Sequence, residues 1–211
     1  MHGVEQAERL GDALLQVATV RLLWKDAPDV DVYLDGQVVN GLTGVPFKAV
    51  SGYLTVGAAT HNVKVYVAGT TTDPVIDANV TLLPGTAYTV AATGLVSAGD
   101  LRPLVLVDDR QGPAANRSVV RFVHLSPDAP NVDIKVMNGP TLFSNVAFRG
   151  FAGYDEVAPG TYDLEARLSS GSALALSVPD VTLMGSESYT VFAVGLAGDG
   201  TLGVVLTKDT P

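Results

Sequence analysis

Ala27-Pro28-Asp29-Val30-Asp31-Val32 returns later in the chain as Ala129-Pro130-Asn131-Val132-Asp133-Ile134. In both places apolar residues alternate with polar ones. Val30, Val32 and Leu34 point one way and Asp31, Tyr33 and Asp35 the other; Val132, Ile134 and Val136 point inward and Asp133, Lys135 and Met137 outward. A period of two belongs to a strand with one dry and one wet face. The repetition runs on. Gly52-Tyr53 returns as Gly153-Tyr154, and Tyr88-Thr89-Val90 through Gly94-Leu95 returns as Tyr189-Thr190-Val191 through Gly195-Leu196. A repeat of about a hundred residues is too long for a solenoid unit and matches one compact domain. The chain therefore reads as two homologous domains in tandem.

Working outward, Val63, Val65 and Val67 alternate with Lys64 and Tyr66, and Tyr162, Leu164, Ala166 and Leu168 alternate with Asp163, Glu165 and Arg167. Tyr88 to Ala92 and Tyr189 to Val194 are apolar on nearly both faces, as central strands are. Asp35-Gly36, Pro84-Gly85, Asn138-Gly139, Pro159-Gly160 and Gly198-Asp199-Gly200 supply turns between the runs. Each copy thus holds about seven or eight short strands at regular spacing, the pattern of a sandwich. The expected class is all-β: two tandem immunoglobulin-like antiparallel β-sandwiches, over residues 18–109 and 118–211, joined by a polar linker at 110–117. Residues 1–17 differ. Val4, Ala7, Leu10, Leu14 and Val17 recur at helical spacing, with Glu5 and Glu8 near the start. A short helix leading into the first strand is one reading. The other is an extended arm from Ala13 to Val20 that pairs with a neighbouring subunit's sheet edge.

Of the 211 residues 47% are apolar and 17% charged, the balance of a packed chain. The net charge of −9, with no run of Lys or Arg, disfavours nucleic acid and anionic membrane surfaces as partners. The absence of cysteine excludes disulfides and thiolate metal sites. No apolar run approaches the length of a membrane span. Met1-His2-Gly3-Val4-Glu5-Gln6 lacks a basic region followed by an apolar core, so the chain is expected to be either cytosolic or the mature form of an exported protein.

Chemistry-bearing candidates are few. Asp26, Asp29, Asp31 and Asp35 cluster in the first copy, and Asp128, Asn131, Asp133 and Asn138 in the second. Calcium takes six to eight oxygen ligands, which makes Asp29, Asp31, Asp128 and Asp133 its candidate ligands. No EF-hand spacing is present, and Asp and Asn beside Pro and Gly also make ordinary turns. The histidines, His2, His61 and His124, lie at no metal-binding spacing. Ser126, His124 and Asp128 invite a triad reading, but residues so close on one strand and turn point in alternating directions. Asp108-Asp109 and Asp155-Glu156 are likewise neighbours facing opposite ways. No catalytic residue and no cofactor is expected. Tyr33 and Tyr66 are predicted to face outward, where rings stack on sugars, fill an interface, or cover the seam between the domains. Trp24, set against His124 when the copies are aligned, joins them as an interface candidate. Tyr88 and Tyr189 are expected to anchor the core with their hydroxyls on nearby backbone.

Val120-Arg121-Phe122-Val123-His124-Leu125-Ser126-Pro127-Asp128-Ala129-Pro130-Asn131-Val132-Asp133 resembles the opening of the family known as domain of unknown function 4397. Phe143-Ser144-Asn145-Val146-Ala147-Phe148, Pro159-Gly160-Thr161-Tyr162 and Tyr189-Thr190-Val191 with Val194-Gly195-Leu196 resemble its middle and its late strand. The first copy is a divergent member: Arg21-Leu22-Leu23-Trp24-Lys25-Asp26-Ala27-Pro28 is two residues shorter than its partner, and Gly57-Ala58-Ala59-Thr60-His61 lacks the Pro-Gly of the second copy. The resemblance implies an exported or surface-attached prokaryotic protein built of immunoglobulin-like sandwiches, and it implies no catalytic residues. The expected function is a non-enzymatic structural or adhesive module of the cell envelope, with self-association as one form of it. The alternative is a calcium- or carbohydrate-dependent binding module using the acidic loop.

Overall fold

The computed structural model describes residues 12–18 as backbone, and 28–46, 48–95, 98–108 and 112–209 in full. The chain divides into two compact units, the first ending at Arg110 and the second beginning at Gln111. The described residues contain strands and turns and no helix. No helix among them is long and apolar enough to cross a membrane.

The first unit holds β1 (Asp12–Ala18), β2 (Val30–Leu34), β3 (Gln37–Val38), β4 (Val50–Gly57), β5 (Thr60–Val67), β6 (Ile76–Thr81), β7 (Ala87–Thr93) and β8 (Arg102–Asp108). They form two four-stranded sheets, ordered β4-β1-β7-β8 and β3-β2-β5-β6. The second unit repeats the plan with β9 (Ser118–His124), β10 (Val132–Val136), β11 (Thr141–Val146), β12 (Phe151–Val157), β13 (Gly160–Leu168), β14 (Leu174–Leu183), β15 (Glu187–Val194) and β16 (Gly203–Lys208). Its sheets are β12-β9-β15-β16 and β11-β10-β13-β14. Each unit is a β-sandwich, as the alternation implies. One pair in each departs from the antiparallel expectation: β1 runs parallel to β7 and β9 parallel to β15. Alternation reports which face a residue takes and carries no information on strand direction.

In the second unit the core lies between the two sheets. Val132, Ile134, Phe143, Leu164 and Val181 come from one sheet and Val120, Phe122, Val157, Tyr189 and Val191 from the other. Phe122 and Phe143 stack with ring centroids 6.2 Å apart across that core. In the first unit Val63 and Val80 meet Tyr88 and Val90 in the same way, while Val30, Val65 and Ile76 form a second cluster. Burying such a side chain stabilises the fold by about 1.5–3 kcal/mol. Strand β15 is buried along all but its first residue, as its two-faced apolar pattern implies, and β9 is buried along its whole length although it carries Ser118, Arg121 and His124. Tyr88 and Tyr189 anchor these cores and accept the backbone N–H of Leu83 and Met184 on their hydroxyls, each at 3.1 Å.

Residues 12–17, for which the sequence allows a helix or an arm, extend into β1 and pair on both sides within their own unit. Asp12-Ala13-Leu14-Leu15-Gln16-Val17-Ala18 is a short apolar run, and such runs satisfy a helical and an extended period equally. Gln16 stands opposite Thr89 as Arg121 stands opposite Thr190. Arg21 and Trp24 lie outside the described residues.

Candidate functional site

The acidic candidates hold loops. Asp31 is 9% exposed on β2; its Oδ1 accepts the Gly44 N–H at 2.8 Å and its Oδ2 the Gly69 N–H at 2.9 Å. Asp133, its counterpart on β10, accepts the Asn145 N–H at 2.7 Å and the Ser169 hydroxyl at 2.6 Å on Oδ1. Those two bonds, the hydroxyl first, hold its carboxyl below the usual carboxylate range. Asp128 is exposed at the end of the second unit. It accepts the N–H groups of Ala197 and Gly198 at 2.9 and 2.8 Å and the Ser126 hydroxyl at 3.2 Å. Asp29 is exposed, and its carbonyl accepts the Ala68 N–H. Three of the four carboxylates thus hold backbone N–H groups of their own unit, and no group of three or more His, Cys, Asp or Glu among the described residues is placed to hold a metal ion.

His124 is 1% exposed. Its Nε2 lies 3.1 Å from the Pro130 carbonyl, and its Nδ1 accepts the Ser126 backbone N–H at 3.3 Å. One acceptor and one donor suit the neutral ring with its proton on Nε2. Burial pushes its protonation below the ordinary value of 6.5, against the pull of the Pro130 and Ala129 carbonyls. The ring meets Ser126 at its amide while the hydroxyl turns to Asp128. The three residues are close together, but the imidazole meets the serine amide and not its hydroxyl.

Tyr33 is half-buried, and Tyr66 is 9% exposed, more covered than outward orientation suggests. The two rings meet edge to face at 5.1 Å. An outward-pointing strand position is therefore not by itself an open one.

Sequence reasoning missed a polar row that crosses one sheet of each unit. In the second, the Tyr154 hydroxyl on β12 donates to Oδ2 of Asp209 at 2.8 Å, and the Thr190 hydroxyl on β15 donates to the same oxygen. Arg121 on β9 lies between them, 2% exposed. Its Nε and Nη2 donate to Thr190 Oγ1 at 3.0 and 2.8 Å, its Nη2 lies 3.7 Å from Asp209, and its Cζ lies 4.7 Å above the Tyr154 ring. The Thr207 hydroxyl donates to Oδ1 of Asp209 at 3.1 Å. The first unit repeats the frame, with Tyr53 and Thr89 donating to Asp108 at 2.9 and 2.8 Å. The signal was present in the repeat: Tyr53, Thr89 and Asp108 precede Tyr154, Thr190 and Asp209 by one common spacing. Recurrence of polar residues at a constant spacing marks them as surely as recurrence of apolar ones marks the core.

A cleft of about 390 Å³ opens in the first unit between the segment Asn40 to Pro46 and the start of β4, with Tyr53 and Leu54 on its wall. Its lining mixes apolar side chains such as Leu42, Val45 and Val50 with glycine and the small polar residues Asn40, Thr43 and Ser51.

Among solved structures, the C-terminal domain of AlgF from P. aeruginosa is 24% identical over 44% of this chain and 98% of its own, with a TM-score of 0.35. The family 26 carbohydrate-binding module CBMbc of Eubacterium rectale Amy13K, solved with maltoheptaose, is 10% identical over 95% of this chain and 98% of its own, with a TM-score of 0.29. The Bacillus anthracis TIE protein is 12% identical over 87% of this chain and 34% of its own, with a TM-score of 0.27. A search of the curated proteins returned no match. The sequence profile described as Domain of unknown function (DUF4397) matches residues 18–135 and again 136–211. With two matches that together span nearly the whole chain, and a polar frame built twice in the same positions, the chain belongs to the DUF4397 family.

Proposed function

We propose that the chain is a non-enzymatic structural or adhesive module of the extracellular space or cell envelope, associating through its own surfaces. The observation that carries this reading is where its polar side chains go. Carboxylates and hydroxyls at matching positions of both units bond to backbone amides and to one another within their own sandwich. A serine–histidine pair needs the imidazole on the hydroxyl, and His124 meets Ser126 at its amide, while the hydroxyl donates to Asp128, whose carboxylate also holds the Ala197 and Gly198 N–H groups.

The sheet edges support association. On β16, Lys208 pairs with Glu187 at 2.6 Å, a charged guard of the kind that discourages strand-to-strand contact. At the matching place on β8 stands Val107, 61% exposed, with Val105 two residues before it at 38%. Light scattering coupled to size-exclusion chromatography, at several concentrations, tests the reading. A mass that rises with concentration and falls back in Val107→Lys supports it; a steady 21.9 kDa overturns it.

Tyr33 favours a second reading. Its half-buried ring lies on the wet face of the β3-β2-β5-β6 sheet, across from Lys64. An aromatic ring beside hydrogen-bonding groups suits a sugar. Thermal unfolding with glycans, and with calcium or chelator, separates the readings: a rise in Tm with glycan that Tyr33→Ala removes would favour the binding module.

A further inference from the structure

His61, the second residue of β5, has both ring nitrogens against acceptors. Nδ1 lies 2.6 Å from Oδ2 of Asp35, in the turn between β2 and β3, and Nε2 lies 2.7 Å from the carbonyl of Gly57, the last residue of β4. The side chain is 12% exposed. An ionised carboxylate and a carbonyl accept hydrogen bonds and cannot donate them. Neutral imidazole carries one N–H and satisfies one of the two; imidazolium carries two and satisfies both. Gly57 and Asp35 belong to different sheets of the first sandwich. We propose that His61 is a pH-operated clasp, which in its protonated form ties the β2–β3 turn to the β4–β5 turn and on losing a proton releases the Gly57 side.

The Gly57 side is the one released because the bond to Asp35 joins the ring to a charge and is the stronger. Asp35 itself stays in place. Its Oδ1 accepts the Asn62 N–H at 2.8 Å, and its own N–H donates to the Asn62 carbonyl at 2.8 Å. Among the described residues Asp35 is the charged group acting on the ring. On the neighbouring strand Val80 stands opposite His61, and the nearby charges Lys64 of β5 and Asp77 of β6 pair with each other at 3.1 Å.

The second unit shows the same joint without a histidine. Tyr162 stands at the matching position on β13, and its hydroxyl donates to the Ala158 carbonyl, the counterpart of Gly57, at 2.6 Å. Met137 takes the place of Asp35. Histidine in place of this hydroxyl brings a second ring nitrogen, and with it the bond to Asp35.

The direction follows from the bonds. The Asp35 hydrogen bond, then the Gly57 carbonyl, raises the protonation of His61 above its ordinary 6.5, and burial opposes them. The His61 hydrogen bond in turn holds Asp35 below its ordinary 3.8. The stabilisation is complete below pH 6.5 and is lost as pH rises through the raised value in the folded chain. At the acid end it fades as pH falls below 3.8 through the lowered value of Asp35.

The test uses the full chain. NMR titration of the imidazole signals, assigned with His61→Tyr, is expected to give His61 a midpoint above 6.5. Amide exchange at residues 57–60, corrected for its intrinsic pH dependence, is expected to accelerate above that midpoint and to lose this step in His61→Tyr. If His61→Tyr does not fold, Asp35→Asn serves instead and is expected to lower the His61 midpoint. A midpoint at or below 6.5, or exchange at residues 57–60 without a step in the unsubstituted chain, overturns the proposal.

Discussion

The Tyr154 hydroxyl donates to Oδ2 of Asp209 at 2.8 Å, joining residues that begin and end the same four-stranded sheet. Tyr154 lies on edge strand β12, and Asp209 directly follows edge strand β16; Arg121 and Thr190 on β9 and β15 complete the row between them. All four strands are thereby tied by side chains as well as by their ladders. The row contains an arginine and an aspartate that are 2% and 0% exposed, so its members depend on one another. Buried charges are costly when unpaired and close to neutral when paired.

That dependence gives an unequal set of substitutions. Arg121→Met leaves the Asp209 carboxylate buried without its cation and is expected to destabilise the second unit by about 3–5 kcal/mol. Tyr154→Phe removes one hydrogen bond to a charged group and is expected to cost about 1.5–3 kcal/mol. Adding Asp209→Asn to Arg121→Met is expected to recover part of the loss, because the orphaned charge is gone. Urea unfolding followed by NMR signals of the second unit measures all three. Strictly additive effects of Arg121→Met and Asp209→Asn would mean that the pair does not act as a unit.

The sandwich class was legible because alternation at Val30, Val32 and Leu34, and again at Val132, Ile134 and Val136, needs only local sequence. The two-faced apolar run from Tyr189 to Val194 marked a central strand for the same reason. What stayed hidden depends on distant partners. Asp31 and Asp133 have the composition of ligands and turns alike, and only the return of Gly69 and Ser169 to their side reveals clamps. The parity of Tyr66 is outward, yet its ring is buried and meets the neighbouring Tyr33 edge to face. Residues 12–17 satisfied two periods at once, and pairing with β4 and β7 decided between them.

Asp128 separates a clamp from a ligand. Its carboxylate takes two backbone N–H groups from the loop after β15, and Thr201 closes that loop by donating to Asp199 and accepting from Leu196. Asp128→Ala is expected to destabilise the second unit by about 1–2 kcal/mol, with water replacing the lost acceptor at this exposed position. Faster amide exchange at Ala197 and Gly198 would accompany it. Calcium is expected to leave the Tm of the unsubstituted chain unchanged. A calcium-dependent rise that disappears in Asp128→Ala would make this carboxylate a metal ligand instead.

His124 gives the second unit a pH dependence opposite in sign to that of His61. Burial holds His124 neutral in the folded chain, below its ordinary 6.5. As pH falls below 6.5 the unfolded chain gains a proton that the folded chain refuses, so the second unit loses stability towards acid until the folded value is reached. His124→Gln keeps a donor for the Pro130 carbonyl and does not titrate. Stability measured by urea unfolding between about pH 5 and 7 is expected to slope less in this variant than in the parent. An unchanged slope would place the acid sensitivity elsewhere.

Gly195 has no room for a side chain. Its φ is +92°, and a Cβ there would lie 2.3 Å from the Thr201 carbonyl oxygen and 2.7 Å from its carbon. Both clashing atoms are backbone, and the segment they belong to is fixed by the Leu202 N–H donating to the Leu196 carbonyl at 3.0 Å. The loop cannot yield without breaking that bond and the Asp128 clamp beside it. Gly195→Ala is therefore expected to destabilise the second unit by about 3 kcal/mol or more, combining left-handed strain with the overlap. Gly153→Ala is the control: nothing lies within 4 Å of its Cβ, and its expected effect stays within about 0.5 kcal/mol. Urea midpoints for the two variants decide the matter. Similar values would mean that the turn after β15 is free to shift, and the reason for a glycine there would have to be sought outside sterics.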